Sequence, residues 1–287
     1  MTRRKQRGSR HSATLTLAAC LVGLCLVAYF SSISETPAAR PATAGTLPTD
    51  TEQQAAAAYN ELERMACPTY ESARGAQVIK HVGYTLAYDA DFKTPQWVAW
   101  VLTDREAEGT LPRHDHFAPD PEVRGAKAYP DDYKHSGYDR GHMAPAADMK
   151  WSERAMRESF YMTNICPQNR NLNRGDWQDL EEAERSLARR FGAVAITAGP
   201  IYSQPQPPRI GAHKVAVPDA FFKVLLVGYP QQPQAFAYVM RNEAGSHPLS
   251  YYQHTVNEVE ELTGMDFFPG LDEDVEAAKP HLPPGIR

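Results

Sequence analysis

Cysteine is scarce in this 287-residue chain: there are four, and Cys20 and Cys25 fall inside one apolar stretch. Only Cys67 and Cys166 remain for a folded domain, so the thiols allow at most one bridge there. Such a bridge would close a loop of about 100 residues and contribute up to ~4.7 kcal/mol. An excess of positive charge is also missing. The formal net charge is -5, and the first residues alone hold Arg3, Arg4, Lys5, Arg7 and Arg10. Without those five, 25 basic residues face 35 acidic ones, and the remainder carries -10. That excludes a broad basic footprint, so a nucleic-acid partner would require a few arginines focused on one site. Internal repeats are absent, as is any alternation of strand and helix of the βα kind. Wholesale disorder is not indicated either, since 42% of residues are apolar and 23% charged.

One long hydrophobic run is present. Ala13 to Phe30 is eighteen residues without a charge, directly after the basic N-terminus. As a helix it would span roughly 27 Å, a little less than a bilayer core. It is longer than the core of most cleaved signals, while Ser32-Ile33-Ser34 and Ala42-Thr43-Ala44 offer small-residue cleavage sites. The positive-inside rule leaves the N-terminus in the cytoplasm and exports the remainder of the chain. The expectation is a signal or membrane anchor over residues 1–34, with the rest outside the cytoplasm, anchored or secreted. A Ser-, Pro- and Ala-rich linker over 35–66, ending in a short helix, then joins a domain over 67–270. The acidic, Pro-rich tail 271–287 is expected to be mobile.

Within that domain the residue pattern alternates between types. Val78 to Tyr88 is rich in β-branched and aromatic residues, and Trp97 to Leu102 is apolar on both faces, as a central strand requires. Tyr84, Tyr88, Trp97 and Trp100 are therefore core candidates before they are base-stacking ones. Gly109 to Pro130 reads as loop. Gly175 to Phe191 repeats Trp177, Leu180, Leu187 and Phe191 at helical steps. Ala193 to Ala198, Phe221 to Gly228 and Ala235 to Met240 read as buried strands. Tyr251 to Thr263 reads as a closing helix stopped by Gly264. Strands and helices without a βα repeat predict an α+β domain with a mixed or antiparallel central sheet and flanking helices.

Three segments carry the chemistry: Asp139-Arg140-Gly141-His142-Met143-Ala144-Pro145, then Asn164-Ile165-Cys166-Pro167-Gln168, then Leu172-Asn173-Arg174-Gly175-Asp176-Trp177. In a strand, Arg140 and His142 share a face, and Gly141 between them admits a close neighbour. Asn173 is expected near the start of the following helix, with Glu181 two turns on and about 80° round. A base, a cation, an amide oxygen and a carboxylate can thus converge. Each residue alone has a plainer reading: a structural histidine, a helix cap at Asn173, a solvated face at Glu181. The order and spacing of all three segments separate the two readings. His114 and His116 flank Asp115 without a further clustered ligand, so they read as polar loop.

These motifs resemble the DNA/RNA non-specific endonucleases, the ββα-metal nucleases that include mitochondrial endonuclease G. Asp139 to His142 matches the family's Asp-Arg-Gly-His. Asn164, Pro167 and Gln168 match Asn-x-x-Pro-Gln, and Leu172, Asn173, Gly175, Trp177, Leu180 and Glu181 match the third element. The likeness extends more loosely from Gly83 to Gly270, including Val217-Pro218-x-x-Phe221-Phe222-Lys223. By this resemblance the fold is a ββα-metal nuclease fold, with a hairpin and a helix gripping the metal. His142 is the general base, and Asn173 the protein ligand of a Mg²⁺ ion, with Mn²⁺ able to substitute. Arg140 stabilises the phosphate, Asn164 and Glu181 hold the site and the metal's water shell, and Arg113 aligns with the second phosphate-binding arginine. DNA and RNA are the implied substrates, and some relatives form homodimers. Two other classes stay open: an inactive nucleic-acid-binding or uptake protein of the same fold, and a phosphodiesterase for small phosphodiesters.

Overall fold

The computed structural model describes residues 50–69 and 75–286. Its order begins with helix α1 (Asp50–Ala66), strands β1 (Gln77–Lys80), β2 (Thr85–Asp89) and β3 (Thr94–Thr103), and helix α2 (Asp104–Ala107). A long loop leads to β4 (Asp139–His142), α3 (Glu153–Ser159), β5 (Ile165–Gln168), α4 (Arg170–Asn173) and α5 (Asp176–Phe191). Then follow β6 (Ala193–Ile201), β7 (Arg209–Ile210), β8 (Val215–Ala216), β9 (Ala220–Val227) and β10 (Gln234–Arg241). The last are β11 (Gln253–His254), α6 (Val256–Thr263) and α7 (Glu273–Glu276).

Seven strands form one sheet in the order β1-β2-β3-β6-β9-β10-β11, and every pairing in it is antiparallel. Period-two alternation sends neighbouring residues to opposite faces, and both faces are covered, which is why the central strands are largely apolar on both. Val98, Trp100, Leu102, Phe221 and Leu225 face α5, packing with Trp177, Leu180 and Leu187. Trp97, Ala99, Val101, Phe222 and Val224 face the other way, packing with Leu62 and Met65 of α1 and Val256 and Val259 of α6. The four aromatic residues assigned to the core are there: Tyr84, Tyr88, Trp97 and Trp100 are all buried.

Three expectations change. The linker over 35–66 contains α1, whose last turn is buried, because Leu62, Met65 and Ala66 repeat on the face that meets the sheet. The tail is held in place. Leu282 and Ile286 pack on the α5-side core, Gln253 Nε2 donates to the Pro280 carbonyl at 2.7 Å, and Lys279 pairs with Glu258 at 2.9 Å. Two isolated apolar residues among prolines leave no period to read. The closing helix starts at Val256 instead of Tyr251. A reciprocal cap sets that boundary: Thr255 accepts from the Glu258 amide while the Glu258 carboxylate accepts from the Thr255 amide. Its end is as expected, with Gly264 in the left-handed region at φ 71°. Cys67 and Cys166 are both free thiols, and they belong to opposite faces of the sheet.

Candidate active site

The two-stranded hairpin β4–β5 stands apart from the large sheet and pairs Arg140 with Pro167, Gly141 with Cys166 and His142 with Ile165. Together with α4 and the first turns of α5 it walls a cleft of about 580 Å³. Arg113, Arg140, His142, Asn173 and Glu181 all line this cleft, so residues 68 positions apart in sequence meet there. Asn164 does not line it. It is fully buried, with Nδ2 donating to the carbonyls of Ala144 at 2.8 Å and Ser159 at 2.9 Å, and Oδ1 accepting from the Ala144 amide at 2.9 Å. Its amide is fully used in clamping the chain that leaves His142. An Asn in that role has no spare atom to offer a ligand.

His142 is 7% exposed, with its ring edge-on to Phe160 at 4.9 Å and against Phe117 at 5.4 Å. Its Nε2 has no hydrogen-bond partner among the described residues. Burial, reinforced by the charges of Arg113 and Arg140, pushes the imidazole down to about 3, against an opposing pull from Asp115. The ring is therefore neutral at neutral pH. Arg140 lies over the Phe117 ring, 4.4 Å from its centroid, and Arg113 lies 5.0 Å from the Phe160 centroid while pairing with Asp115 at 2.6 Å. The same two aromatic rings thus seat the histidine and both arginines.

Asn173 is the last residue of α4, not the start of the long helix, because Gly175 caps α5. A Cβ at Gly175 would lie 2.7 Å from the Asn171 carbonyl oxygen, so the chain turns there only as glycine. Asn173 Nδ2 donates to Asp139 Oδ2 at 3.3 Å. A carboxylate can only accept, so that contact assigns the amide nitrogen and leaves Oδ1 for the cleft. Asp139 also accepts from Arg174 Nε at 2.8 Å. Burial works against its charge, but the bonds from Arg174 and Asn173 hold the carboxyl below its usual range. Glu181 makes no hydrogen bond or ion pair among the described residues, and burial pushes its carboxyl up to about 7.

Sequence reasoning missed Asp139 as the orienter of Asn173, and Arg185, which lines the same cleft. Arg185 Nη1 donates to the buried Asp148 at 3.0 Å, whose other oxygen accepts from Trp100 Nε1 at 3.1 Å. The signal for Arg185 was available, since it lies four residues after Glu181 on a helix and so shares its face. In all, five cationic residues (Arg113, Lys134, Arg140, Arg174, Arg185) and two acidic ones (Asp139, Glu181) line the cleft. An acidic chain thus concentrates positive charge in one place.

Gly141 has no room for a side chain. A Cβ there would run into Gln168 Oε1 and lie 2.6 Å from Gln168 Cβ. Gly141→Ala is expected to cost about 1–3 kcal/mol by overpacking the hairpin and to displace the neighbouring His142. A urea melt beside a cleavage assay measures both effects, and unchanged stability would mean that the hairpin yields freely.

An antiparallel sheet carrying a separate hairpin and helix that close on one histidine and one amide oxygen defines the class of ββα-metal nuclease folds. The family model described as DNA/RNA non-specific endonuclease matches residues 61–274, and the chain belongs to that family. It is 38% identical over 216 residues to the mitochondrial nuclease EXOG of Xenopus laevis, covering 70% of this chain and 60% of that protein. It is 32% identical over 253 residues to the mitochondrial endonuclease G of Bos taurus, covering 83% of each. The chain thus spans only about three-fifths of the length of the EXOG relative. The crystal structure of the EndoG/EndoGI complex superposes with a TM-score of 0.67 at 28% identity, over 75% of this chain and 94% of that one.

These relatives correct one expectation. Both carry mitochondrial names, which does not fit an exported or membrane-anchored protein. The segment Ala13 to Phe30 behind that expectation lies outside the described residues. Among the described residues no helix is long and apolar enough to cross a membrane. The physical reason for the error is that the basic start of the chain, Arg3 to Arg10, contains no acid. Organelle-directed leaders have that property too, so charge bias alone does not separate them from exported ones.

Proposed function

We propose that the protein is a metal-dependent nuclease that hydrolyses phosphodiester bonds of DNA and RNA without reading sequence, with His142 as its general base. The observation that carries this reading is the placement of His142: its ring is seated against Phe117 and Phe160 and lines the wall of a cationic cleft. A neutral imidazole can take the proton of the water that attacks phosphorus. Arg140, with Arg113 on the same wall, would bind the phosphate oxygens as charge builds on them. Guanidinium contacts to phosphate carry no base information, which accounts for cleavage of any sequence.

The donor set fits a hard divalent cation. No group of three or more His, Cys, Asp or Glu suited to a metal occurs among the described residues, whereas Asn173 presents a lone, oriented amide oxygen. Mg²⁺ keeps most of its waters and needs few protein ligands, and Mn²⁺ can take the same donors. Asn173 would hold the ion and Glu181 its water shell; when bound it supplies Lewis-acid stabilisation of the phosphate and the leaving oxygen.

Two expected results test the metal assignments. Asn173→Ala should raise the Mg²⁺ midpoint of cleavage by about tenfold or more; an unchanged midpoint would place the ion elsewhere. Glu181, raised to about 7, should make Mg²⁺ affinity depend on pH with a definite sign. Protons and the cation compete for the carboxylate, so affinity falls as pH drops through about 7. A single competing proton predicts an apparent Kd roughly tenfold higher at about pH 6 than at about pH 8. Calorimetric titration of Glu181→Gln should show no such slope.

A further inference from the structure

A second cleft, of about 270 Å³, lies on the other side of α4. Leu172 lines it while the next residue, Asn173, lines the main cleft, so this short helix is the ridge between the two. Its floor and wall come from Arg241, Gly245, His247, Tyr251 and His254. Tyr251 is 67% exposed, the most exposed aromatic side chain among the described residues. It is nevertheless fixed in orientation. Its ring stacks on His247 with centroids 4.2 Å apart and planes 25° apart, and Tyr252 meets it edge-on at 5.1 Å and 89°.

This shelf is tied to the active-site helix. The buried Tyr252 hydroxyl donates to Asp176, the first residue of α5, and the His247 amide donates to the same carboxylate oxygen at 3.3 Å. The chain reaches that position by passing through Gly245, where a Cβ would lie 2.5 Å from the Tyr252 hydroxyl and 2.8 Å from Asp176 Oδ2. Charge contributes little here. Arg241 pairs with Glu243 at 3.2 Å, and His254 with Glu258 at 3.2 Å. A rigid aromatic face, held open to solvent beside a near-neutral cleft, is suited to a flat π-system and not to a phosphate.

We propose that the His247–Tyr251–Tyr252 shelf is a stacking subsite for an unpaired nucleobase of a single-stranded polynucleotide that also occupies the main cleft. The proposal rests on the nuclease reading of that cleft. Bases in a duplex are paired and stacked on one another, so only a single strand can place one on Tyr251. The subsite therefore gives the cleft a preference for single-stranded DNA or RNA that its guanidinium groups alone do not provide.

The test uses the full-length His142→Ala protein, so that the nucleic acid stays intact. It is titrated with Mg²⁺ present into a fluorescein-labelled single strand of about ten nucleotides, and into the duplex of the same sequence, with anisotropy as the readout. Adding Tyr251→Ala should weaken single-strand binding about 5- to 100-fold without changing the slope of affinity against salt, and Tyr251→Trp should restore it. If Tyr251→Ala left single-strand affinity unchanged, the subsite would be overturned and the nuclease reading would stand. An equal loss on the duplex would overturn the single-strand assignment. If the His142→Ala protein bound neither strand nor duplex, the nuclease reading itself would fall, and the shelf with it.

Discussion

His142→Ala is expected to lower cleavage of plasmid DNA and of total RNA by about 10²–10⁴-fold at saturating Mg²⁺, the usual contribution of a positioned general base. The variant should still bind polynucleotide, because the arginines, Asn173 and Glu181 are untouched. Near wild-type cleavage would remove His142 from the mechanism. A second readout separates chemistry from folding. The imidazole titrates near 3 in the folded protein and near 6.5 in the unfolded chain, so the unfolded state binds the extra proton first. Stability owed to this group is complete above about pH 6.5 and declines as pH falls toward about 3. Between about pH 7 and about pH 5 the wild type should lose about 2 kcal/mol that the alanine variant does not. Urea melts at the two pH values measure the difference. Equal losses in both proteins would mean that the ring is not held neutral by burial.

Much of this site was legible because its parts are local. The two short segments that carry Arg140 with His142 and Pro167 with Ile165 each have their own motif, and the structure pairs them as one hairpin. The 3.6-residue period placed α5 over Gly175 to Phe191, and the helix runs from Asp176 to Phe191 with Gly175 as its cap. Roles that depend on what surrounds an atom were not legible. Asn164 looks as polar as Asn173 in the sequence, yet Ala144 and Ser159 use its whole amide, while Asp139 turns the Asn173 oxygen outward. Asp139 could not be seen as that orienter because the contact joins residues 34 apart. The sheet order was equally hidden. β6 pairs with β3, roughly 90 residues earlier, and nothing short-range in either strand names its partner. The start of α6 was a different kind of miss, because Thr255 and Glu258 stand at capping-box spacing and the signal was present.

The same limit applies to the residue with the largest expected effect on stability. Lys223 sits on β9 on the side that carries Phe221 and Leu225, where the strand pattern calls for an apolar residue. Its ammonium is fully buried, 2.8 Å from Glu184 Oε2 of α5, and 4.7 Å and 5.5 Å from the ring centroids of Trp177 and Trp100. Removing one partner strands the other charge. Lys223→Met is therefore expected to cost about 3–5 kcal/mol, whereas Lys223→Met with Glu184→Leu should recover most of that loss. Burial pushes the Glu184 carboxyl well above its usual range, with Lys223 pulling the other way. Without the lysine, Glu184 must fold protonated, so the single variant should gain stability as pH is lowered from about 8 to about 5. In the wild type Lys223 opposes that upward push, so the same gain should be smaller. A four-member urea-melt cycle at both pH values measures the coupling directly. If the pair couples by less than about 1 kcal/mol, packing of Trp177 and Leu180 suffices to hold α5 on the sheet. If the coupling is large, the pair also fixes the register of the helix from which Glu181 and Arg185 reach the cleft. The double variant should then be stable yet cut more slowly than the wild type.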